Sequence, residues 1–529
     1  MSDGLVAGRP EVGDPRMTTS ARGRVWLLTV ACMSVSLVVI SMVALNTALG
    51  DVAVETSATQ AQLTWVVDGY TLVLACLLLP AGAIGDRYGR RGALLIGLAI
   101  FALASAGPLI LDSPQQIIAA RAVTGAGAAF IMPATLSLLT AAFPRAERAK
   151  AIGIWAGVAG SGAVVGFLGS GILLHFWSWR SIFWAFVAAG VVMFALTCTV
   201  SSSRDPDAAP LDWFGAVLIG AAVAVFVFGV LEAPIRGWTH PAVYGCMAAG
   251  VALAAAFAAA ELRRTHPLLD VRLFGRPDFA TGALGITLLF FANFGFFFVV
   301  IQYIQLVLGY SPIRTAIALC PLVIPVLALA TTTHLYLPGL GLRVVMAGGL
   351  AVLSAGLVCM RTLRPDSGYL DLAWPLLVMS IGIGLCTTPA TAAIMGAVPD
   401  EKQGVASAVN DTTREVGAAV GIALAGSLLA TRYTDVLAPY LSGVPDPVRA
   451  PALGSLAEAL SVSRRLGPQG ERFADLAKSA FVEAMDLALT VMAAVIAVAA
   501  ILVVVWSPGR DGRQWRFLRG YHPGGRHRA

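Results

Sequence analysis

The chain has 529 residues, 57% of them hydrophobic and only 12% charged, with a formal net charge of +6. Soluble domains carry about 25% charged residues, so this composition excludes a water-soluble globular protein and places most of the chain in a membrane. Its three lysines, Lys150, Lys402 and Lys478, do not follow a glycine, which excludes the phosphate-cradling GxxxxGK[ST] loop of an ATP-driven pump.

A polar opening, residues 1–24, precedes an apolar run too long for a signal-peptide core, so that run is expected to stay as the first span. Apolar blocks follow at 25–48, 63–84, 92–111, 115–142, 150–173 and 181–200, then at 211–231 and 242–261. The last six are 279–308, 315–337, 342–362, 372–396, 404–430 and 481–506. Each is about 20 residues or longer, the length that a helix needs to cross about 30 Å of hydrocarbon. No block alternates in the manner of a membrane barrel strand, and backbone in lipid must satisfy its own hydrogen bonds. The expected class is an all-α integral membrane protein with fourteen spans.

Short loops on alternate sides differ in Lys and Arg content, which places both termini in the cytoplasm and the chain in the inner or plasma membrane. The basic tail, 507–529, sits beside the last span and reads as an anchor to lipid headgroups rather than a nucleic-acid site. The seven cysteines fall inside the expected spans without a CxxC pair, and the six histidines are scattered, so no metal site is expected. The longest polar stretch, 431–480, holds the turn formers Pro439, Pro445, Pro447 and Pro451 and an amphipathic segment near 452–465; it reads as an extracytoplasmic cap or a linker.

Several residues stand out from this apolar background. Asp68 lies about two turns inside the outer end of the second span. It reads as a protonation or substrate-charge site modulated by Arg121, a second intramembrane charge, or as a residue facing the outer vestibule. Between spans two and three comes Gly85-Asp86-Arg87-Tyr88-Gly89-Arg90-Arg91, where the glycines allow a tight turn and Asp86 and the arginines allow a charge relay between helix ends. Span five is glycine-rich at small-xxx-small spacing, with Gly153 and Gly157, then Gly162 and Gly166. Span nine places Phe290, Phe294, Phe297 and Tyr303 beside Asn293, Gln302 and Gln305, a mixture suited to a large amphipathic ligand. Span thirteen carries Asp411, Arg414 and Glu415 at i, i+3 and i+4, on one helix face; they read equally as a self-neutralising structural cluster or as transport residues.

The GDRYGRR segment resembles the signature of the major facilitator superfamily, where it latches the outward-facing state. From about residue 25 to 506 the chain is similar to the fourteen-span drug:proton antiporters. Gln62 to Tyr70 resembles the start of their span two, and Arg121 to Gly127 resembles their span-four motif, whose arginine is implicated in proton transfer. The span-five run resembles the antiporter motif, with Gly166-Phe167 where the family has Gly-Pro; Trp179 to Phe183 and Val398 to Gly421 resemble spans six and thirteen. In span one Ser41 takes the position of the usual acid and Gly50 that of the proline.

The resemblance implies a major facilitator fold. A six-helix bundle at 25–203 and a second at 266–506 flank two inserted helices at 204–265. It implies a monomeric secondary transporter with no cofactor, driven by a proton gradient. The partners are then protons, membrane lipids and a small amphipathic organic substrate, and the implied activity is multidrug or antibiotic efflux rather than enzyme catalysis. Two alternatives stand beside it: a dedicated exporter of a lipid, siderophore or other metabolite, and a non-transporting receptor or scaffold.

Overall fold

A computed structural model describes residues 20–201, 211–265, 267–442, 444–465 and 470–507. Nearly all of the 1–24 tail and of the 507–529 tail lies outside the described residues, so the anchoring expected of the basic tail does too. The first six spanning helices are α1 (Ala21–Ala44), α2 (Gln60–Tyr88), α3 (Arg90–Ser105), α4 (Pro114–Ala142), α5 (Arg145–Phe176) and α6 (Arg180–Thr197). The inserted pair is α7 (Trp213–Arg236) and α8 (Pro241–Glu261), and α9 is Pro277–Gln302.

The local reasons for these boundaries are legible. A capping box opens α2: the Gln62 N–H donates to Thr59 Oγ1 at 3.3 Å while Gln62 Oε1 accepts the Thr59 N–H at 2.9 Å. Pro114, Pro241 and Pro277 each stand at a first helical position, where their missing N–H costs nothing. Gly89 ends α2 at φ 112°, a left-handed value that a side chain would disfavour, and α3 starts at the next residue.

Among the described residues, thirteen helices are long and apolar enough to cross a membrane, and one of them, Ile313–Thr362, runs to 50 residues. That segment holds two passes. Its helix Val323–Cys359 breaks at Gly341, φ 78°, just after Pro338, dividing it into α10 (323–340) and α11 (342–359). Packing on α12 (Tyr369–Gly396) shows the reversal. Along α10, Val326 and Leu329 meet Gly384 and the Ala330 carbonyl accepts the Thr388 hydroxyl at 3.3 Å, a parallel course. Along α11, Gly349 meets Cys386 and Gly356 meets Met379, an antiparallel course. The fourteen expected passes are completed by α13 (Gln403–Leu437) and α14 (Gly470–Trp506).

Within 431–480 the chain is not a plain linker: two short helices, Asp446–Gly454 and Leu456–Arg465, pack back on the spans. The Tyr433 hydroxyl donates to the Ala452 carbonyl at 3.2 Å, and Ala452, Leu456 and Ala459 are buried.

Candidate functional site

Three clusters of buried polar side chains stand out, two of them where the first six spans meet the last six. Burying a charge in a membrane interior is costly unless it is compensated, so each cluster calls for a physical account.

At the membrane face that carries Gly89, Asp86 joins the two halves. Its Oδ1 accepts the Gly404 N–H at 2.8 Å and its Oδ2 the Val405 N–H at 3.0 Å, so an acid at the end of α2 caps the first turn of α13. The Arg90 Nε–H donates to Asp86 Oδ1 at 2.9 Å, and Arg90 Nη2 donates to the Asp400 and Glu401 carbonyls at 2.9 and 3.2 Å. Arg148 at the start of α5 pairs with Asp400 Oδ1 at 2.8 Å. The approach is close enough that a Cβ on Gly82 would lie 2.5 Å from the Gly404 carbonyl. The carbonyl of Gly85 accepts the Gly89 N–H at 3.0 Å and closes the turn. Arg91 turns away and donates to the Cys198 carbonyl at 2.5 Å, and Arg87 rests over the Tyr88 ring at 5.4 Å. Of the expected relay, Asp86 and Arg90 bridge the halves; Arg91 binds within the first half.

Deeper in the first half lies Arg121, 1% exposed. Its guanidinium donates to Ser41 Oγ at 2.9 Å, to the Ser41 carbonyl at 3.0 Å and to the Val66 carbonyl at 3.3 Å, and it lies over the Tyr70 ring at 4.2 Å. Ser41 therefore stands where a counter-charge to Arg121 would stand, but supplies a hydroxyl and a carbonyl. The expected link from Arg121 to Asp68 is corrected here: among the described residues Asp68 shares no hydrogen bond or ion pair with Arg121. Asp68 is half-buried on the side of α2 that meets the inserted helices, where the Trp65 and Phe228 rings lie tilted to one another at 5.9 Å. The charged neighbour acting on it is Glu232 of α7, itself paired with Arg236. Asp68 and Tyr70, both on α2, thus face different helices, because two positions along a helix turn the side chain by about 200°.

The third cluster is on α13. Asp411, Arg414 and Glu415 are all buried. The Thr391 hydroxyl donates to Asn410 Oδ1 at 3.0 Å, and Asn410 Nδ2 donates to Asp411 Oδ1 at 3.1 Å. The Arg414 guanidinium reaches Thr391 Oγ1 at 3.4 Å and is sandwiched by two rings, Trp155 of α5 and Phe290 of α9, each 5.0 Å away. Among the described residues Asp411 Oδ2, Glu415 Oε2 and Arg414 Nε have no hydrogen-bond partner. Two acids and one base are thus held in a dry site with unused hydrogen-bonding capacity, and the base touches both halves of the molecule.

On α9, Phe290, Asn293, Phe294 and Phe297 share one face at i, i+3, i+4 and i+7, and Phe290 stacks on Phe294 at 5.8 Å. That face is the one on which Arg414 rests. Gln302 lies off it and spends its amide on the Phe298 carbonyl at 2.8 Å. Gln305 sits in a π-helical turn, Tyr303–Val307, that shifts the register beyond Gln302. Span-five glycines serve two contacts. Gly157 backs onto Leu327 of α10, while Gly162 and Gly166 back onto Val39 and Val43 of α1. A cavity of about 450 Å³ lies away from these clusters, between Trp238 and the far-face ends of α13 and α14, with Ser427, Arg432 and Asp435 on its wall. The aromatic sandwich of Arg414 and the acid Glu232 beside Asp68 escape sequence reasoning, because pairing across three helices leaves no trace in local spacing.

The profile of the Major Facilitator Superfamily matches residues 27–422. The chain belongs to this superfamily. It is 32% identical to the multidrug resistance protein Stp of Mycobacterium tuberculosis (strain CDC 1551 / Oshkosh), over 92% of this chain and 93% of Stp. It is 29% identical to the tetracenomycin C resistance and export protein of Streptomyces glaucescens, over 91% and 92% of the two chains. Among solved structures, the superfamily's proton:xylose symporter XylE superposes with a TM-score of 0.59 at 12% identity, covering 94% of this chain and 98% of that one; at this identity the likeness concerns fold alone. The superfamily and its fold are those of transporters rather than enzymes, and the buried charges lie between the helices.

Proposed function

We propose that the chain exports small amphipathic organic molecules, drugs or antibiotics among them, in exchange for protons. The observation that carries this reading is the α13 cluster, in which Asp411, Arg414 and Glu415 are buried against Trp155 and Phe290 at the junction of the two halves. A carboxylate there gains most from taking up a proton when the site is dry and loses it when the site opens, which is what exchange requires. The names of the relatives, a multidrug resistance protein and an antibiotic export protein, support the substrate class.

In this reading the halves, 25–203 and 266–506, rock about the inserted pair at 204–265, and substrate binds between them on the α9 face of Phe290, Asn293, Phe294 and Phe297. The Asp86–Arg90 junction holds the Gly89 face closed; that face and both termini are cytoplasmic in a cell membrane, a reading the positive loops support. Asp411 and Glu415 carry the protons, Arg414 relays their charge to the aromatic walls, and Arg121 is a fixed cation. Asp68 is left as a charge facing α7 rather than as Arg121's partner. The working unit is a monomer among membrane lipids.

Drug-susceptibility profiling of cells with and without the gene, repeated with a proton uncoupler, tests the reading. Expected is lower accumulation of amphipathic compounds such as ethidium when the gene is present, abolished by the uncoupler. Equal accumulation with and without the gene, across a panel of such compounds, contradicts it.

A further inference from the structure

The two inserted helices end in a pair of acids that the transport reading does not use. Asp212 caps α7: its Oδ1 accepts the Gly215 N–H at 2.8 Å and pairs with Arg264. Glu261 closes α8 at 2% exposure, and its Oε2 accepts the Leu269 N–H at 3.1 Å. The two remaining oxygens, Asp212 Oδ2 and Glu261 Oε1, are buried and have no hydrogen-bond partner among the described residues. Both lie 2.7 Å from the point where a Cβ on Gly215 would stand, so they are at most twice that distance apart.

Among the described residues the charge here is unbalanced. Of the described cations only Arg264 binds the pair, and it binds Asp212 while lying 5.3 Å from the Phe214 ring. On the linker that follows, Arg272 faces Asp270 at 4.0 Å and donates to the Leu262 carbonyl at 3.2 Å, and Arg263 is exposed. Two further helices pack along α7 toward its middle, α2 through Cys76 opposite Gly220 and α13 through Val416 near Val223. At the Gly89 ends of these helices Asp86 pairs with Arg90 and Asp400 with Arg148, and among the described residues Arg264 is the cation that pairs with Asp212. Two buried carboxylates with one cation and two idle, converging oxygens call for a proton between them.

We propose that Glu261 and Asp212 share one proton, carried on Glu261 Oε1 and donated to Asp212 Oδ2, and that it clasps the inserted helices to the linker entering the second half. Burial works against the Asp212 charge, but the Gly215 amide, a hydrogen bond from Glu261 and Arg264 outweigh it and hold its carboxyl below the usual carboxylate range. The clasp reaches further through that linker, where Arg276 donates to the Ala397 carbonyl at 2.8 Å, just before α13. Loss of the proton leaves two anions facing one another, so the added stability belongs to the protonated form and falls as pH rises. The proposal is independent of what the protein transports.

Infrared difference spectra and thermal unfolding of the full chain in nanodiscs, from about pH 5 to about pH 9, test it. The wild type is expected to lose a protonated-carboxyl band and at least about 2 °C of Tm as pH rises. In Glu261→Gln the amide donates in the proton's place, so the part of this band that belongs to the pair is lost and Tm loses the slope that goes with it; Asp212→Asn gives the same result with the donor reversed. If one variant fails to fold, the other carries the comparison. A band and a slope undiminished from wild type in either folded variant, or a wild type with neither, overturns the proposal.

Discussion

The two halves of the molecule bury charge in opposite ways. In the first half Arg121 is a cation with its guanidinium donating to Ser41 and Val66 and covered by Tyr70, and its hydrogen-bonding partners are neutral. In the second half Asp411 and Glu415 flank Arg414, and several polar atoms are left idle. A site whose hydrogen bonds are complete has one stable arrangement. A site with idle acids can have two, one with the proton and one without, and such a site can respond to a proton gradient. The proposed mechanism therefore puts the fixed charge in the first half and the exchangeable one in the second.

The comparison breaks most sharply at Glu415. Replacing it with Gln keeps shape and removes titration; proton-coupled ethidium export in inverted vesicles is expected to fall at least about tenfold, equivalent to about 1.4 kcal/mol of lost coupling. Next is Arg414→Ala, which leaves two buried acids without their cation and should destabilise the protein by about 3–5 kcal/mol, read as a loss of folded protein in thermal unfolding. Asp86→Asn weakens the cap on α13 by about 1–2 kcal/mol and should raise cysteine-labelling rates at the Gly89 face several-fold in an otherwise cysteine-free background. Ser41→Ala removes one hydrogen bond to Arg121 and should cost about 1 kcal/mol, whereas Ser41→Asp, which gives Arg121 a counter-ion, should fold and keep transport, because the acid for exchange lies elsewhere.

The smallest effect is at the far face. There Glu55 accepts the Trp179 indole N–H at 2.5 Å and pairs with Arg180. The indole hydrogen bond, helped by Arg180 and opposed by slight desolvation, holds the Glu55 carboxyl below its ordinary range. A lowered carboxylate adds stability above its unfolded pKa and loses it as pH falls through the folded one, so acid unfolding should begin at slightly higher pH in Trp179→Phe than in wild type. A transition at the same pH in both proteins removes this contact from the account.

Much of the fold was legible because membrane spans announce themselves by length and hydropathy, and the GDRYGRR turn does so by its spacing. The reversal at Gly341 was legible for the same reason, as a polar-poor but glycine- and proline-marked gap between 315–337 and 342–362. Alignment alone put Ser41 at the position of the usual acid, and its contact with Arg121 came only with the packing. Depth along a helix, however, says nothing about azimuth, and this is why Asp68 read as Arg121's neighbour when it faces α7. The aromatic face of α9 was legible as composition, but its meeting with Arg414 requires the packing of three helices. The Asp212 and Glu261 pair was invisible, since each acid stood only at one end of an apolar block, 211–231 or 242–261, until the hairpin brought them against Gly215.

The central claim, that the exchangeable proton belongs to the α13 cluster and not to span one, is tested most directly by proton flux in proteoliposomes. With a pH-sensitive dye inside and an ethidium gradient imposed across the membrane, the wild type should move protons against the substrate. The doubly neutral Asp411→Asn/Glu415→Gln protein should move none, while still binding ethidium. Undiminished substrate-driven proton movement in that double variant would contradict the account.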